Sequence, residues 1–211
     1  GHDQAPPIVQ ACAESWRRVN PGWRVVTLDG RSIQQLVDLG PFTVPARKDI
    51  TVQKIAAIAR LCLLRTYGGV WSDATVYCLR PLDDWLPRYL AGGFFAFRNP
   101  GPDRLASNWF IAAHRNDPIL EAMHAAFLRM WTDRCFVNQD TALGRWVLST
   151  LSPLLNTRPD RTIFWTNPLL QRGLRIYPYF IFHYTFNKII LTNPALRRQW
   201  EMAEALEAGP S

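Results

Sequence analysis

Apolar and polar residues alternate along this chain in two rhythms, and the change of rhythm marks out its elements. After Pro6-Pro7 the residues Ile8, Cys12, Trp16 and Val19 recur at helical spacing, until Asn20-Pro21-Gly22 breaks the pattern. The unbroken run WRVVTL, Trp23 to Leu28, predicts a buried strand that stops at the turn pair Asp29-Gly30. A short helix is expected over Ser32 to Leu39, before the breaker Gly40-Pro41. From about Thr51 the run VQKIAAIARLCLLRTY predicts a largely buried helix, with Gly68-Gly69 supplying a left-handed end.

The stretch VWSDATVYCL then predicts another strand, closed by Pro81, with DDWLPRYL as a short turn or helix. FFAFR (Phe94 to Arg98) and SNWFIAA (Ser107 to Ala113) predict two strands joined by the loop NPGPD. Asp117-Pro118 marks the start of a helix running to about Asp133, and a further helix is expected from Gln139 to Leu151. Beyond Pro153 the pattern loosens into a candidate strand TIFW, the aromatic stretch YPYFIFHYTF, and a final amphipathic helix from Pro194. Helix and strand alternate early and mix later, which suggests an α/β or α+β fold in one domain spanning residues 1–211.

Within this pattern Asp73 is out of place, because it puts a carboxylate into an apolar, aromatic strand directly after a helix that ends on two glycines. Helix, glycine turn, strand and acid is the layout of an α/β ligand site, where ligands bind beyond the carboxyl ends of the strands. A buried carboxylate needs a partner, which could be an arginine, a metal or ligand hydroxyls. A structural salt bridge with Arg60 or Arg80 is the plain alternative.

Composition changes the picture little. Of the 211 residues 48% are hydrophobic, enough for a core. The net charge is +7, and only Lys48, Lys54 and Lys188 among the 24 basic residues are lysines. Arginine favours bidentate contact with phosphate and carboxylate, yet no run of like charges or basic amphipathic helix singles out nucleic acid as a partner. The four cysteines show no metal-binding spacing and are expected as buried free thiols in a reducing compartment. No run reaches the roughly 18 to 20 apolar residues of a membrane span, and the opening GHDQAPP carries no signal-peptide pattern. There is also no P-loop, GxGxxG fingerprint or nucleophile–histidine arrangement.

YGGVWSDAT followed by RPLDDWL, Tyr67 to Leu86, resembles the capsular polysaccharide synthesis proteins, which are glycosyltransferase-like and related to DXD sugar transferases. The resemblance extends to APPIVQACAESWRRVNPGWRVVTLD, to GGFFAFRNPGPDRLASNWFIAAHRNDPIL and to YFIFHYTFNKII. It implies a GT-A-like α/β fold, a nucleotide-sugar-binding sheet flanked by helices with a mixed α+β C-terminal part. The implied activity is sugar transfer from a nucleotide-sugar donor to a glycan acceptor, in capsule or surface polysaccharide synthesis. The expected setting is the cytoplasm, with peripheral association at the inner face of the membrane left open.

In that resemblance Asp73 corresponds to the first acid of the DXD motif and is the expected metal ligand for Mn²⁺ or Mg²⁺. Arg60 is the donor-contacting arginine; Asp73 and Arg60 are thus the candidate catalytic pair. Trp71 shares a strand face with Asp73 and is placed either against the donor or in the core. Asn108 and Trp109 match the family's asparagine-containing segment, with strand-edge packing as the alternative. His183 is either a diphosphate or metal contact or a member of an aromatic cluster, and Asp140 is either an acceptor-side or catalytic acid or part of a helix cap. The chain departs from relatives at three points. Thr75 replaces the last acid of the motif, which weakens the expectation of a metal. Ala56-Ala57 replaces a Ser-Asp pair ahead of Arg60. Relatives also open with a strand before the first helix, so one wall of the nucleotide site is expected to be missing here.

Overall fold

The structure is a computed structural model and describes residues 4–40, 51–132, 136–138 and 140–209. The breaker at Pro41, the helix end at Asp133, the helix start at Gln139 and Cys135 lie outside that set.

Helix α1 (Pro7–Val19) starts on proline, as the Pro6-Pro7 pair predicts, and buries Cys12 and Ser15; Ile8, expected on the same side, is exposed. Its end is held by the buried Asn20. That amide donates to the Trp16 carbonyl (3.1 Å) and to Cys78 Sγ (3.3 Å), while its oxygen accepts from Leu82 N (2.7 Å). The expected strand Trp23–Leu28 is not one: the segment joins no ladder, and Trp23 instead donates from its indole to Asp83 Oδ1 at 3.0 Å. An apolar run becomes a strand only where it pairs with another strand's edge, and this segment pairs with none among the described residues. The next turn leads into α2 (Ser32–Leu36), and there Asp29 accepts from Ser32 N, Ser32 Oγ and Arg31 N, bonds that pull its carboxyl down to about 2.

Helix α3 (Val52–Tyr67) stops where the glycines predicted. Gly68 has φ +68°, and a Cβ there would meet the Arg115 N–H at 3.0 Å and the Ala113 carbonyl at 3.2 Å, so the helix turns tightly against the sheet. Strand β1 (Gly69–Ser72) is shorter than the expected ten-residue run. A turn follows, then the segment 82–84 and α4 (Leu86–Tyr89), as the DDWLPRYL reading anticipated.

Strands β2 (Phe94–Gly101) and β3 (Arg104–Ala113) extend into the predicted loop, leaving only Pro102 and Asp103 at the hairpin tip. The sheet is three-stranded, ordered β1-β3-β2 and antiparallel throughout. This is a mixed α/β architecture on a small antiparallel sheet. Alternation of side chains sends Trp71, Ile111, Phe94 and Ala96 to one face, and Val70, Phe110, Ala112 and Phe95 to the other.

The first face is covered by α3, by α5 (Pro118–Thr132, capped by Asp117 Oδ1), and by α8 (Ile181–Thr192). Between α5 and α8 lie α6 (Ala142–Leu155, capped by Thr141), α7 (Pro159–Thr162), a 3-10 turn at 163–166 and a π turn at 169–174. The TIFW strand is therefore replaced by helical turns, anchored where the fully buried Trp165 donates to Asn156 Oδ1 at 2.8 Å. Helix α9 (Pro194–Met202) is capped by Asn193, and the tail beyond it bonds Arg98 on the outer edge of β2. The C-terminal part, expected to mix α and β, is helical among the described residues apart from one isolated bridge between Arg98 and Glu207. Cys12, Cys62 and Cys78 are buried free thiols. No helix among the described residues is long and apolar enough to cross a membrane.

The hairpin tip and α8 are locked by buried polar groups. Asn187 donates to the Asp103 carbonyl (2.7 Å) and to Thr162 Oγ1 (2.9 Å), and accepts from Leu105 N (3.1 Å). Tyr184 donates to Asp103 Oδ2 at 2.6 Å. Replacing Asn187 with alanine strands three partners at once, two of them buried, so Asn187→Ala should lower the unfolding free energy by about 2 to 4 kcal/mol. Urea denaturation of the two proteins checks this, and equal midpoints would show that the Asn187 bonds do not hold α8 to the hairpin tip.

Candidate functional site

The polypeptide leaves β1 at Ser72, and Asp73 is the next residue. Its N–H donates to the Trp109 carbonyl (2.8 Å), carrying the β1–β3 pairing one residue past the strand, and its own carbonyl closes a turn by accepting from Val76 N (3.0 Å). The carboxylate therefore stands at the carboxyl end of the strand rather than within it.

The neighbouring strand is irregular at the same level. The two-residue step from Ala96 to Arg98 on β2 faces the five-residue step from Ala106 to Ile111 on β3. The surplus residues, Asn108 among them, bulge beside Asp73. Bulges re-aim side chains at sheet margins and beside sites.

Two groups converge on the Asp73 carboxylate. Arg60 Nη2 donates to Oδ1 at 2.8 Å and Trp71 Nε1 donates to the same oxygen at 2.8 Å. Oδ2 accepts nothing among the described residues, and the Asp73 side chain is 37% exposed while that of Arg60 is 5% exposed. The pair is thus asymmetric: a buried guanidinium grips one oxygen and turns the other outward. The remaining Arg60 nitrogens, Nε and Nη1, are buried without hydrogen-bond partners among the described residues. Its guanidinium lies between aromatic faces, 5.1 Å from the Trp71 ring centre and 5.6 Å from that of Phe182. Burial pulls the Arg60 pKa down and Asp73 pushes it back.

His183 sits one residue further along α8. It is flanked by Phe180 and Phe182 at 5.4 and 5.8 Å, with Nδ1 buried and unpartnered among the described residues. Burial first, and then the cations Arg104, Arg60 and Lys54, hold its pKa near 3, so the imidazole is neutral.

The structure therefore brings Arg60, Trp71, Asp73 and His183 into one cluster. Thr75 is exposed in the turn after Asp73, and half-buried Asn108 lies in the bulge. The Trp109 ring points elsewhere, stacking on Phe97 at 4.8 Å in the second cluster, so only its carbonyl meets the Asp73 segment. Asp140 is exposed ahead of α6, which Thr141 caps. Sequence reasoning passed over Lys54 and Arg104. Lys54 Nζ donates to the Tyr179 carbonyl (2.8 Å) and lies over the rings of Tyr177 and Tyr179; burial brings its pKa to about 8. Arg104 lies 4.2 Å over the Phe180 ring. A signal for Lys54 was available, since it is a lone lysine inside an apolar helical run.

Among the described residues no three His, Cys, Asp or Glu side chains converge to hold a metal ion. A Mg²⁺ site needs only one or two carboxylates when substrate phosphates complete the shell, and Asp73 Oδ2 meets that minimum.

The model of the family described as "Capsular polysaccharide synthesis protein" matches residues 1–141. Among characterised relatives, the O-glycosyltransferase braB of Annulohypoxylon truncatum is 30% identical over 62% of this chain and 35% of its own length. The O-glycosyltransferase PaGT of Phomopsis amygdali is 24% identical over 84% of this chain and 49% of its own. The chain thus spans half or less of the length of the curated relatives it matches. No solved structure matches it.

Protonating His183 would add a fourth cation to this cluster. Its pKa is near 3 in the fold against 6.5 when free, so the unfolded chain binds more protons between those values and stability falls as pH drops through that window. In His183→Phe the acid-side loss of stability should be smaller than in wild type. Melting temperatures from pH 7 to pH 4 test it, and parallel curves would show that His183 is not the titrating group.

Proposed function

The chain belongs to the capsular polysaccharide synthesis protein family, and from that premise we propose that it is a glycosyltransferase domain using a nucleotide-sugar donor. A glycan is the acceptor, in capsule or surface polysaccharide synthesis, and contact with the bilayer is peripheral. The observation that carries the reading is the divided Asp73 carboxylate: Oδ1 is fixed by Arg60 and Trp71, and Oδ2 is left free at the end of a strand. A free, oriented oxygen suits a sugar hydroxyl or a divalent cation bridging to the donor diphosphate.

In this reading Arg60 has two tasks. It orients Asp73, and its positive charge favours the diphosphate that departs as the glycosidic bond forms. Asn108, in the bulge beside Asp73, supplies an amide to the donor sugar, and Thr75 supplies a hydroxyl at the rim. The cation takes Asp73 as its protein carboxylate and fills its shell from diphosphate and water; Mn²⁺ or Mg²⁺ supplies charge neutralisation there.

A second reading, a sugar- or nucleotide-binding module without turnover, is favoured by one observation. Ala57, a helical neighbour of Arg60, is buried and carries no acid.

Turnover of a panel of nucleotide sugars, read as free nucleoside diphosphate, separates the two. Asp73→Asn should lower kcat/KM by about 100-fold or more, the scale of losing one preorganised electrostatic contact. Binding of a nucleotide sugar by calorimetry with no turnover in wild type would favour the second reading. Equal turnover in wild type and Asp73→Asn would remove Asp73 from the mechanism.

A further inference from the structure

Helix α6 is apolar on two sides. Gly144 and Val147 are buried, and Leu148, Leu151 and Leu155 pack half-buried against the core, which accounts for one of them. On the other, Leu143, Trp146, Thr150 and Leu154 recur at i, i+3, i+7 and i+11, a single line down the helix about 16 Å long. Leu143 is 53%, Trp146 64% and Leu154 61% exposed, so no described residue covers the line. Single exposed leucines need no explanation, but aligned large apolar side chains with a tryptophan among them mark a surface that meets something other than water.

The fold surrounds this line with one sign of charge. Asn138, just ahead of α6, donates to the Leu174 carbonyl (2.9 Å), which brings Arg172 and Arg175 near the start of the helix. At the other end Asn156 accepts from Trp165 (2.8 Å), which brings Arg158, Arg161 and the exposed Phe164 there. Arg145 stands on the first turn of the helix itself, and all five arginines are exposed. Against them residues 140–175 hold two acids, Asp140 and Asp160, the latter paired with Arg158 at 3.1 Å. Arg145 donates to the Asp140 carbonyl and Arg161 to Thr157 Oγ1 (3.3 Å), neutral acceptors that leave the positive charge in place. The arginines are scattered in sequence and meet at α6 only through these tertiary contacts.

An apolar line between cationic ends is the pattern of a segment lying in the surface of an anionic bilayer. Its aliphatic and indole side chains enter the upper acyl region while its guanidinium groups stay with the phosphates. Tryptophan favours that boundary, and arginine reaches the headgroups by laying its stem along apolar surface. A second copy of this chain fits less well, because a symmetric contact would set each patch against its own image, arginine facing arginine. We infer that the outer face of α6, with Leu143, Trp146 and Leu154 as its inserting side chains, docks this protein on an anionic membrane surface. The inference gives the peripheral contact proposed above a place on the molecule, and it rests on α6 rather than on the donor site around Asp73.

The test is co-sedimentation of the whole protein with vesicles of phosphatidylcholine alone and of phosphatidylcholine mixed equally with phosphatidylserine. Wild type should bind the mixed vesicles at least about tenfold more tightly than the neutral ones, since each arginine near such a surface is worth about fivefold. Added salt should weaken that binding. Leu143→Ser with Trp146→Ser should lower it by about tenfold or more, because two apolar side chains no longer leave water. Arg161→Gln with Arg172→Gln should lower it by about 25-fold. Ile8→Ser, at an equally exposed residue of α1 on the opposite side of the sheet, should change nothing.

Equal binding to both kinds of vesicle, binding to neither, or unchanged binding in either double variant overturns the inference. So does light scattering that shows a wild-type dimer which the Leu143/Trp146 variant converts to monomer, because a second copy would then cover the face. Should the Leu143/Trp146 variant not fold, the Arg161/Arg172 variant decides alone. Vesicle binding by a protein that turns over no nucleotide sugar would sink the glycosyltransferase reading and leave this one standing; turnover in solution without vesicle binding would do the reverse.

Discussion

Arg60 leaves water almost entirely on folding, and its charge has to be answered from inside the protein. It rises from α3 into a space between the Trp71 and Phe182 rings, so the helix, the first strand and α8 all meet around one guanidinium. Asp73 is the acid that answers it, through a single oxygen. The position of that acid in turn depends on the glycine turn that ends α3 and on the length of β1. Exchanging a buried ion pair for apolar residues is often neutral for stability, so the pair's worth lies in the orientation it imposes. An oxygen pinned by two donors leaves its twin with a defined direction.

Everything that packs around the pair keeps this geometry rigid. The three-stranded sheet is too small to bury two faces with its own side chains, and aromatic residues do that work on both sides. On one side Trp85, Phe95, Phe97 and Phe110 interlock with ring centres about 5 to 6 Å apart, the usual range for edge and offset contacts. On the other, α8 presents Phe182 and His183 to the site while Tyr184 and Asn187 tie it to the hairpin tip. One helix thus connects the end of the β2–β3 hairpin to the environment of Arg60. Substitutions at the Asp103–Asn187 lock should be felt at the site through α8 rather than by contact.

Much of this was legible in the sequence where the signal was local. The Gly68-Gly69 stop, the proline starts of α1, α5 and α9, and the hairpin of β2 and β3 follow from turn chemistry and periodicity that involve only near neighbours. The anomaly of Asp73 was visible for the same reason, as a charge inside an apolar run. The Trp23–Leu28 and TIFW segments were misread because apolar, aromatic composition fits a strand and a buried turn equally well. The choice between them rests on whether a partner edge lies nearby. The bulge at Asn108 left no local mark, since no glycine or proline announces it.

The sequence by itself determined α1, α3, α5, α6 and α9 (though not α8), the glycine turn, the hairpin and the presence of one conspicuous acid, together with a family likeness carried by YGGVWSDAT and RPLDDWL. Tertiary structure alone decided that the sheet is small and antiparallel, that Trp109 stacks away from the site, and that Lys54 and Arg104 lie near enough to the buried His183 to act on its charge. The physical reason is range. Caps and periodicity are set within a few residues, whereas strand partners, and the meeting of Lys54 on α3 with Tyr179 more than a hundred residues later, depend on how distant segments share a limited interior.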